Sequence, residues 1–301
     1  MTRFKTLLQE FKSIRLLQRK DLKIVSSTNN LPHPENPPSE LQTCDPKNMS
    51  QQDKTTFIYS DAWKENEVLG LASTGQYPCL LNSNSPFFES HLRSSLLIQT
   101  NPSEFLTNPL PFLFQNEPLS LTLSFQKKSD KLEMMKQFEA FVSLTKSQLA
   151  LDNVRILFQE LFMNALYDAP NEAKKLGFAA DKKSRQMLFA FDSDKLIISC
   201  FDPYGSLDPL SLIKRIEKII HSNTTQMINF DPNKGGAGIG CSLLYRYSSH
   251  LSLVVEEGKR TRVTCTIPLK MSQRKFELLE KNIQYIKMTK SGGVYEKQRN
   301  A

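Results

Sequence analysis

The residues able to do chemistry fall into three groups between positions 160 and 240. Glu160 and Asn164, a carboxylate and a neutral amide, stand four apart, the spacing that lays two side chains along one stripe of a helix. Asp202 closes an apolar run and leads into Pro203-Tyr204-Gly205-Ser206. Gly235-Gly236-Ala237-Gly238-Ile239-Gly240 then precedes a helix-like segment, and glycines so placed let backbone N–H groups approach phosphate oxygens at a helix N-terminus. Such a run serves turns and packing equally well, so known phosphate-binding arrangements are the test. A P-loop would end in Gly-Lys-Ser/Thr, whereas Gly240 is followed by Cys241 and Ser242. A Rossmann turn needs a strand directly before it, and residues 223–234 are polar and strandless.

The elements that must position these residues are legible in the hydrophobic pattern. Val154, Leu157, Phe158, Leu161, Phe162 and Ala165 make the apolar face of a helix that Asp152 can cap, with Glu160 and Asn164 on another stripe. Residues 187–191 and 196–201 read as a hairpin that delivers Asp202 at its far end, and Asp208-Pro209 starts a helix buried through Leu212, Ile213, Ile216, Ile219 and Ile220. A second hairpin, 251–255 with 262–267, turns through Glu256-Glu257-Gly258-Lys259. Upstream, 119–125 alternates like a half-buried strand and 131–150 carries a helical pattern. Downstream, Phe276, Leu279, Ile283 and Ile286 predict one more amphipathic helix over 273–288.

Five segments follow from this reading. Residues 1–25 form a basic amphipathic helix, in which seven Lys and Arg outnumber two acids. Residues 26–54, proline-rich and without periodicity, form a flexible linker. Residues 55–116 form a small mixed or mostly β unit, with β-favouring runs at 56–59, 68–71, 95–100 and 111–115. Residues 117–270 hold the chemistry, and 271–301 are a C-terminal helix and tail. The 301 residues carry 39 basic and 31 acidic side chains, a net +8, and 19 Phe among 39% hydrophobic residues, so wholesale disorder is excluded. No apolar run approaches the roughly 18 residues of a membrane span. Five cysteines without a CxxC pair offer neither a metal site nor a redox couple, and a cytoplasmic location is expected. The modest charge excess predicts no specific nucleic-acid binding; the helix over 1–24 is a candidate contact for an anionic membrane.

In order and spacing, the Glu160-Leu161-Phe162-Met163-Asn164-Ala165 helix, the strand-end Asp202 and the glycine run before a helix resemble the GHKL superfamily. These are the Bergerat-fold ATPases of DNA gyrase, heat-shock chaperones, MutL and sensor histidine kinases. The resemblance covers about residues 117–270, and its layout is similar to that of anti-sigma-factor serine kinases and stand-alone histidine-kinase-like domains. It implies an α+β fold, a two-layer α/β sandwich in the C-terminal half. It also implies ATP and Mg²⁺ as cofactors. Asn164 would ligand the metal, Glu160 would be the general base, and Asp202 would accept a hydrogen bond from the adenine amino group. Gly205 would let the backbone pass under the base, and Gly236, Gly238 and Gly240 would wrap the triphosphate. Lys234 would offer it a cation within a lid over 221–235, and Thr261 would support the adenine side.

The sequence also departs from that pattern. The family's D-x-G-x-G box carries Tyr204 and Ser206 at its two glycine positions. The histidines, His33, His91, His221 and His250, include none on a helix directly before the ATPase-like unit, so self-phosphorylation is not expected. The reading is therefore an Mg·ATP-binding regulatory protein of bacterial signalling, a serine/threonine kinase or nucleotide-gated switch. Its partner would be a regulatory protein such as a sigma factor or an antagonist of an anti-sigma factor. The alternative is a catalytically inactive scaffold that binds a protein or an anionic membrane.

Overall fold

The computed structural model describes residues 23–26, 41–43, 55–60, 65–75, 79–82, 85–178, 184–221, 239–279 and 281–289. In chain order the elements begin with β1 (Lys23–Ser26), β2 (Leu41–Thr43), β3 (Thr55–Ser60), α1 (Glu65–Ser73) and β4 (Cys79–Asn82). Three helices follow, α2 (Phe88–Thr100), α3 (Pro102–Thr107) and α4 (Leu110–Leu113), then β5 (Leu119–Phe125), α5 (Asp130–Ser143) and α6 (Gln148–Met163). A π-helical turn, Asn164–Asp168, leads into α7 (Ala169–Lys175). The remainder is β6 (Arg185–Phe191), β7 (Lys195–Asp202), α8 (Pro209–His221), α9 (Ile239–Arg246), β8 (His250–Glu256), β9 (Arg260–Pro268), α10 (Gln273–Glu277) and β10 (Asn282–Met288).

All ten strands join one mixed sheet in the order β2-β1-β3-β4-β10-β8-β9-β7-β6-β5. The inner strands are apolar on both faces, which is what a sheet covered on both sides requires. Along β7, Leu196, Ile198 and Cys200 enter the core under α5, α6 and α8, while Ile197 points to the other side among α2, α3 and α4. The larger core stacks Phe138 between Phe158 and Phe189, at centroid distances of 5.0 and 5.2 Å. This is the expected α/β sandwich, with a further helical layer on its second face. That second face also buries polar contacts. Arg262 donates to the Leu106 carbonyl at 3.0 and 2.8 Å and so pins the end of α3, Gln284 donates to the Ser95 carbonyl, and Asn282 meets His91 at 2.6 Å.

Several expectations are corrected. The region 55–116 is mixed, one of the two forms expected, but of its four β-favouring runs only 56–59 is a strand; 68–71 and 95–100 lie in α1 and α2, and 111–115 begins in α4. Its strands β3 and β4 extend the same sheet that carries Asp202. The helix predicted over 273–288 is instead the short α10 followed by β10, which lies parallel to β8 and antiparallel to β4. The helix predicted over 131–150 breaks after Ser143, and α6 starts at Gln148; its cap is Ser147, five residues before the expected cap Asp152, and the Ser147 hydroxyl accepts from the Ala150 N–H. Lys23–Ser26 is a strand at the end of the expected basic helix, and Leu41–Thr43 is a strand inside the expected linker. Residues 1–22 lie outside the described residues. No helix among the described residues is long and apolar enough to cross a membrane.

Candidate functional site

The site is built along the last turns of α6. Its apolar stripe is buried on the sheet, which leaves Glu160 and Asn164 only half-covered on the flank that faces α9 and the loop after β7. Glu160 lies against the first turn of α9. A Cβ on Gly240 would overlap its carboxylate and stand 2.8 Å from Cδ, so any side chain at 240 would displace the Glu160 carboxylate. Burial raises the Glu160 pKa; Lys131 opposes that shift and Asp168 adds to it. Asn164 opens the π-helical turn, a local widening of the helix ladder that the sequence pattern did not disclose.

Asp202 ends β7 directly opposite Thr261 of β9, and both are buried. The carboxylate accepts the Tyr204 N–H at 3.0 Å in an Asx turn. Burial pushes its pKa up to about 6, against the opposing pull of the Tyr204 N–H, the Thr261 hydroxyl, the Gly205 N–H and the Arg185 charge. Gly205 has φ +62°, and a Cβ there would overlap the Glu256 carbonyl and stand 2.6 Å from the Lys259 nitrogen. Its backbone is therefore laid on the β8–β9 turn, where its carbonyl accepts the Gly258 N–H at 3.0 Å.

Sequence reasoning missed the residue that ties these parts together. Arg185, buried at the start of β6, donates Nε–H to the Ala165 carbonyl at 2.6 Å and Nη2–H to the Tyr204 hydroxyl at 2.7 Å. Its guanidinium sits 5.2 Å over the Tyr204 ring, and that ring is fully buried. The Ser206 hydroxyl donates to the Ala169 carbonyl at 2.7 Å. Tyr204 and Ser206 thus tie the loop after β7 to the Asn164–Asp168 turn and the start of α7. A cation opening the apolar run Arg185-Gln186-Met187-Leu188-Phe189 was the only available signal.

The structure therefore brings Glu160 onto Gly240 and Asp202 opposite Thr261, and Arg185 joins the two halves through Ala165 and Tyr204. Lys234, Gly236 and Gly238 lie outside the described residues, as do residues 222–235 of the expected lid. Among the described residues, no group of three or more His, Cys, Asp or Glu could hold a metal ion, so a cation here would depend on Asn164 and on its ligand's own oxygens. A cavity of about 540 Å³ opens at the other end of α6, between Ser147, Asn153, Tyr247 and Ser272, and none of the candidate residues lines it.

No family model matches this chain, and no curated protein matches it. Among solved structures, it is similar to a chain in the crystal structure of the SiaB-SiaC complex from Pseudomonas aeruginosa. The identity is 16%, the TM-score is 0.35, and the match covers 57% of this chain and 98% of that one. A likeness at that level carries no argument about activity.

Proposed function

We propose that this protein binds Mg·ATP in the groove between the end of α6, the loop after β7 and the start of α9, and acts as a nucleotide-dependent regulator of another protein. The observation that carries the reading is the convergence of chemically distinct groups from three separated segments. A helical carboxylate lies at a glycine-bearing helix N-terminus, and a buried strand-end carboxylate lies opposite a threonine. The fit to the implied groups is specific. A side chain at Gly240 would meet the Glu160 carboxylate where phosphate oxygens would approach, and Asp202 keeps an acceptor in a dry setting, where it would distinguish an amino group from a carbonyl.

In this reading Asn164 holds Mg²⁺, and the bound metal supplies charge neutralisation at the phosphates. Asp202 and Thr261 orient the base. Glu160, its proton affinity raised by burial, accepts at its carboxylate the proton of an attacking hydroxyl, which belongs to a serine or threonine of the partner in the kinase form of the proposal. The partner class proposed is a regulatory protein of the sigma-factor or anti-sigma type.

A second reading, a scaffold without catalysis, is favoured by one observation: Tyr204 fills its position with a fully buried ring under Arg185 where the resembled family keeps glycine. Calorimetric titration of the full chain with Mg·ATP, beside Asn164→Ala and Asp202→Asn, separates the two. Binding that both substitutions abolish supports the nucleotide site. A folded chain that takes up no ATP at millimolar concentration overturns it in favour of the scaffold.

A further inference from the structure

Strand β5 ends the sheet. Its inner side pairs with β6 in an unbroken register, from Leu119 opposite Phe191 to Phe125 opposite Arg185, and among the described residues nothing pairs with its outer side. The N–H and C=O groups of alternate residues of this seven-residue strand are thus offered along one edge, the template on which another strand adds. Natural edges are usually guarded by a charge, a proline or a bulge, and Leu119-Ser120-Leu121-Thr122-Leu123-Ser124-Phe125 has none of these. Leu119 is 60% exposed, and Ser120, Thr122 and Ser124 are exposed on the other face of the strand.

We propose that this edge docks a second copy of the chain, β5 against β5, antiparallel about a twofold axis at Thr122. The strand is nearly the same read in either direction from that residue. Thr122 then faces Thr122 of the second copy, Leu121 faces Leu123, Ser120 faces Ser124, and Leu119 faces Phe125. Hydroxyls meet hydroxyls on one face and apolar side chains meet on the other, the pairings that stabilise adjacent antiparallel strands.

Charge selects both direction and register. The uncharged strand is flanked by Glu117 at one end and by Lys127 and Lys128 at the other, and Glu117 and Lys127 are exposed. With the axis at Thr122, Glu117 of each copy stands opposite Lys127 of the other, so two complementary pairs close the two ends. A parallel arrangement would set lysines beside lysines, and a slip of two residues would part both pairs. The contact is isologous and closes on itself, so it yields a dimer with a sheet continuous across the axis and leaves no second β5 edge free to extend a fibre.

Sedimentation equilibrium of the full chain over a wide concentration range tests this, with three variants. The wild type should show a reversible monomer–dimer equilibrium. Thr122→Lys sets two lysines across the axis and should abolish the dimer; circular dichroism should stay unchanged, because Thr122 is exposed. Lys127→Glu should weaken the dimer on the order of tenfold by opposing Glu117 with glutamate at both ends. Glu117→Lys combined with Lys127→Glu should restore it. A wild type that stays monomeric at every concentration would overturn the proposal and leave the edge to a strand of another protein. So would a dimer indifferent to Thr122→Lys, or a double variant no tighter than Lys127→Glu alone.

Discussion

Replacing Asp202 by Asn should stabilise the protein at neutral pH while removing the acceptor on which adenine recognition is proposed to rest. The carboxyl is almost wholly inaccessible, and burial lifts its pKa from 3.8 to about 6 in the folded state. Below about pH 4 the group is protonated in both folded and unfolded chains and adds nothing to the difference between them. As pH rises from there to about 6, the unfolded chain releases its proton first, so each step favours unfolding. Above about 6 the penalty is complete, on the order of 3 kcal/mol. Asn carries no charge, yet its Oδ1 can still accept the Tyr204 N–H, so the turn is kept. Urea unfolding of wild type and Asp202→Asn from pH 4 to 8 is the assay. The other titrating groups are common to both proteins and cancel in the difference. The two should be about equally stable at pH 4 and diverge to about 3 kcal/mol in favour of Asn by pH 7. Equal stability across the range, or an Asn variant weaker at pH 7, would refute the reading that burial of the carboxylate at the end of β7 outweighs its hydrogen bonds and the Arg185 charge.

Gly205→Ala demands a left-handed alanine whose Cβ overlaps the Glu256 carbonyl, and should cost about 3 kcal/mol or more in urea unfolding, more than any helix-surface exchange. Gly240→Ala meets only the movable end of Glu160; its unfolding midpoint should stay close to wild type while Mg·ATP binding or phosphotransfer is lost as the carboxylate is displaced. His91 and His250, with rings 4.8 Å apart and both near Lys195, are buried in their neutral form, and burial takes the His250 pKa down to about 3. The unfolded chain binds protons at these groups first as pH falls, so they cost stability from about pH 6.5 downward, and His250→Gln should flatten that acid-side slope.

How much of this the sequence disclosed varies with the surface each element faces. The helix carrying Glu160 packs on an apolar sheet face, so its buried stripe is apolar and its period reads directly. α2 packs on the other face, where buried polar groups lie among apolar ones, and with His91, Ser94, Ser95 and Gln99 buried its 3.6-residue period is masked, leaving a short apolar run that resembles a strand. Along α10 and β10, Phe276, Leu279, Ile283 and Ile286 happen to keep helical spacing, yet in β10 Asn282 and Gln284 are buried against α2 while Ile283 and Tyr285 enter the larger core. A strand buried on both faces does not alternate as a half-exposed one does. In the site, the register that sets Asp202 opposite Thr261 joins two different hairpins, so only the strand-end place of Asp202 was legible. The role of Arg185 was not, since its partners are a carbonyl 20 residues away and a tyrosine hydroxyl 19 away, and no local pattern encodes either.

The position of β10 sets an order of events for the newborn chain. The side-chain amide of Asn282 accepts the Asn82 N–H at 2.7 Å, a contact between residues 200 apart in sequence. When β4 leaves the ribosome, the neighbour it needs has not yet been made, and the strands from Leu119 to Pro268 can assemble among themselves before it arrives. Until residue 288 has emerged, the growing sheet keeps one border open at β8, and β3 and β4 wait without a partner on β4's far side. The entropy of closing so large a loop rises only slowly with its length, so the finished protein is little penalised. The delay falls on folding time, during which two apolar strand borders lie exposed to other chains.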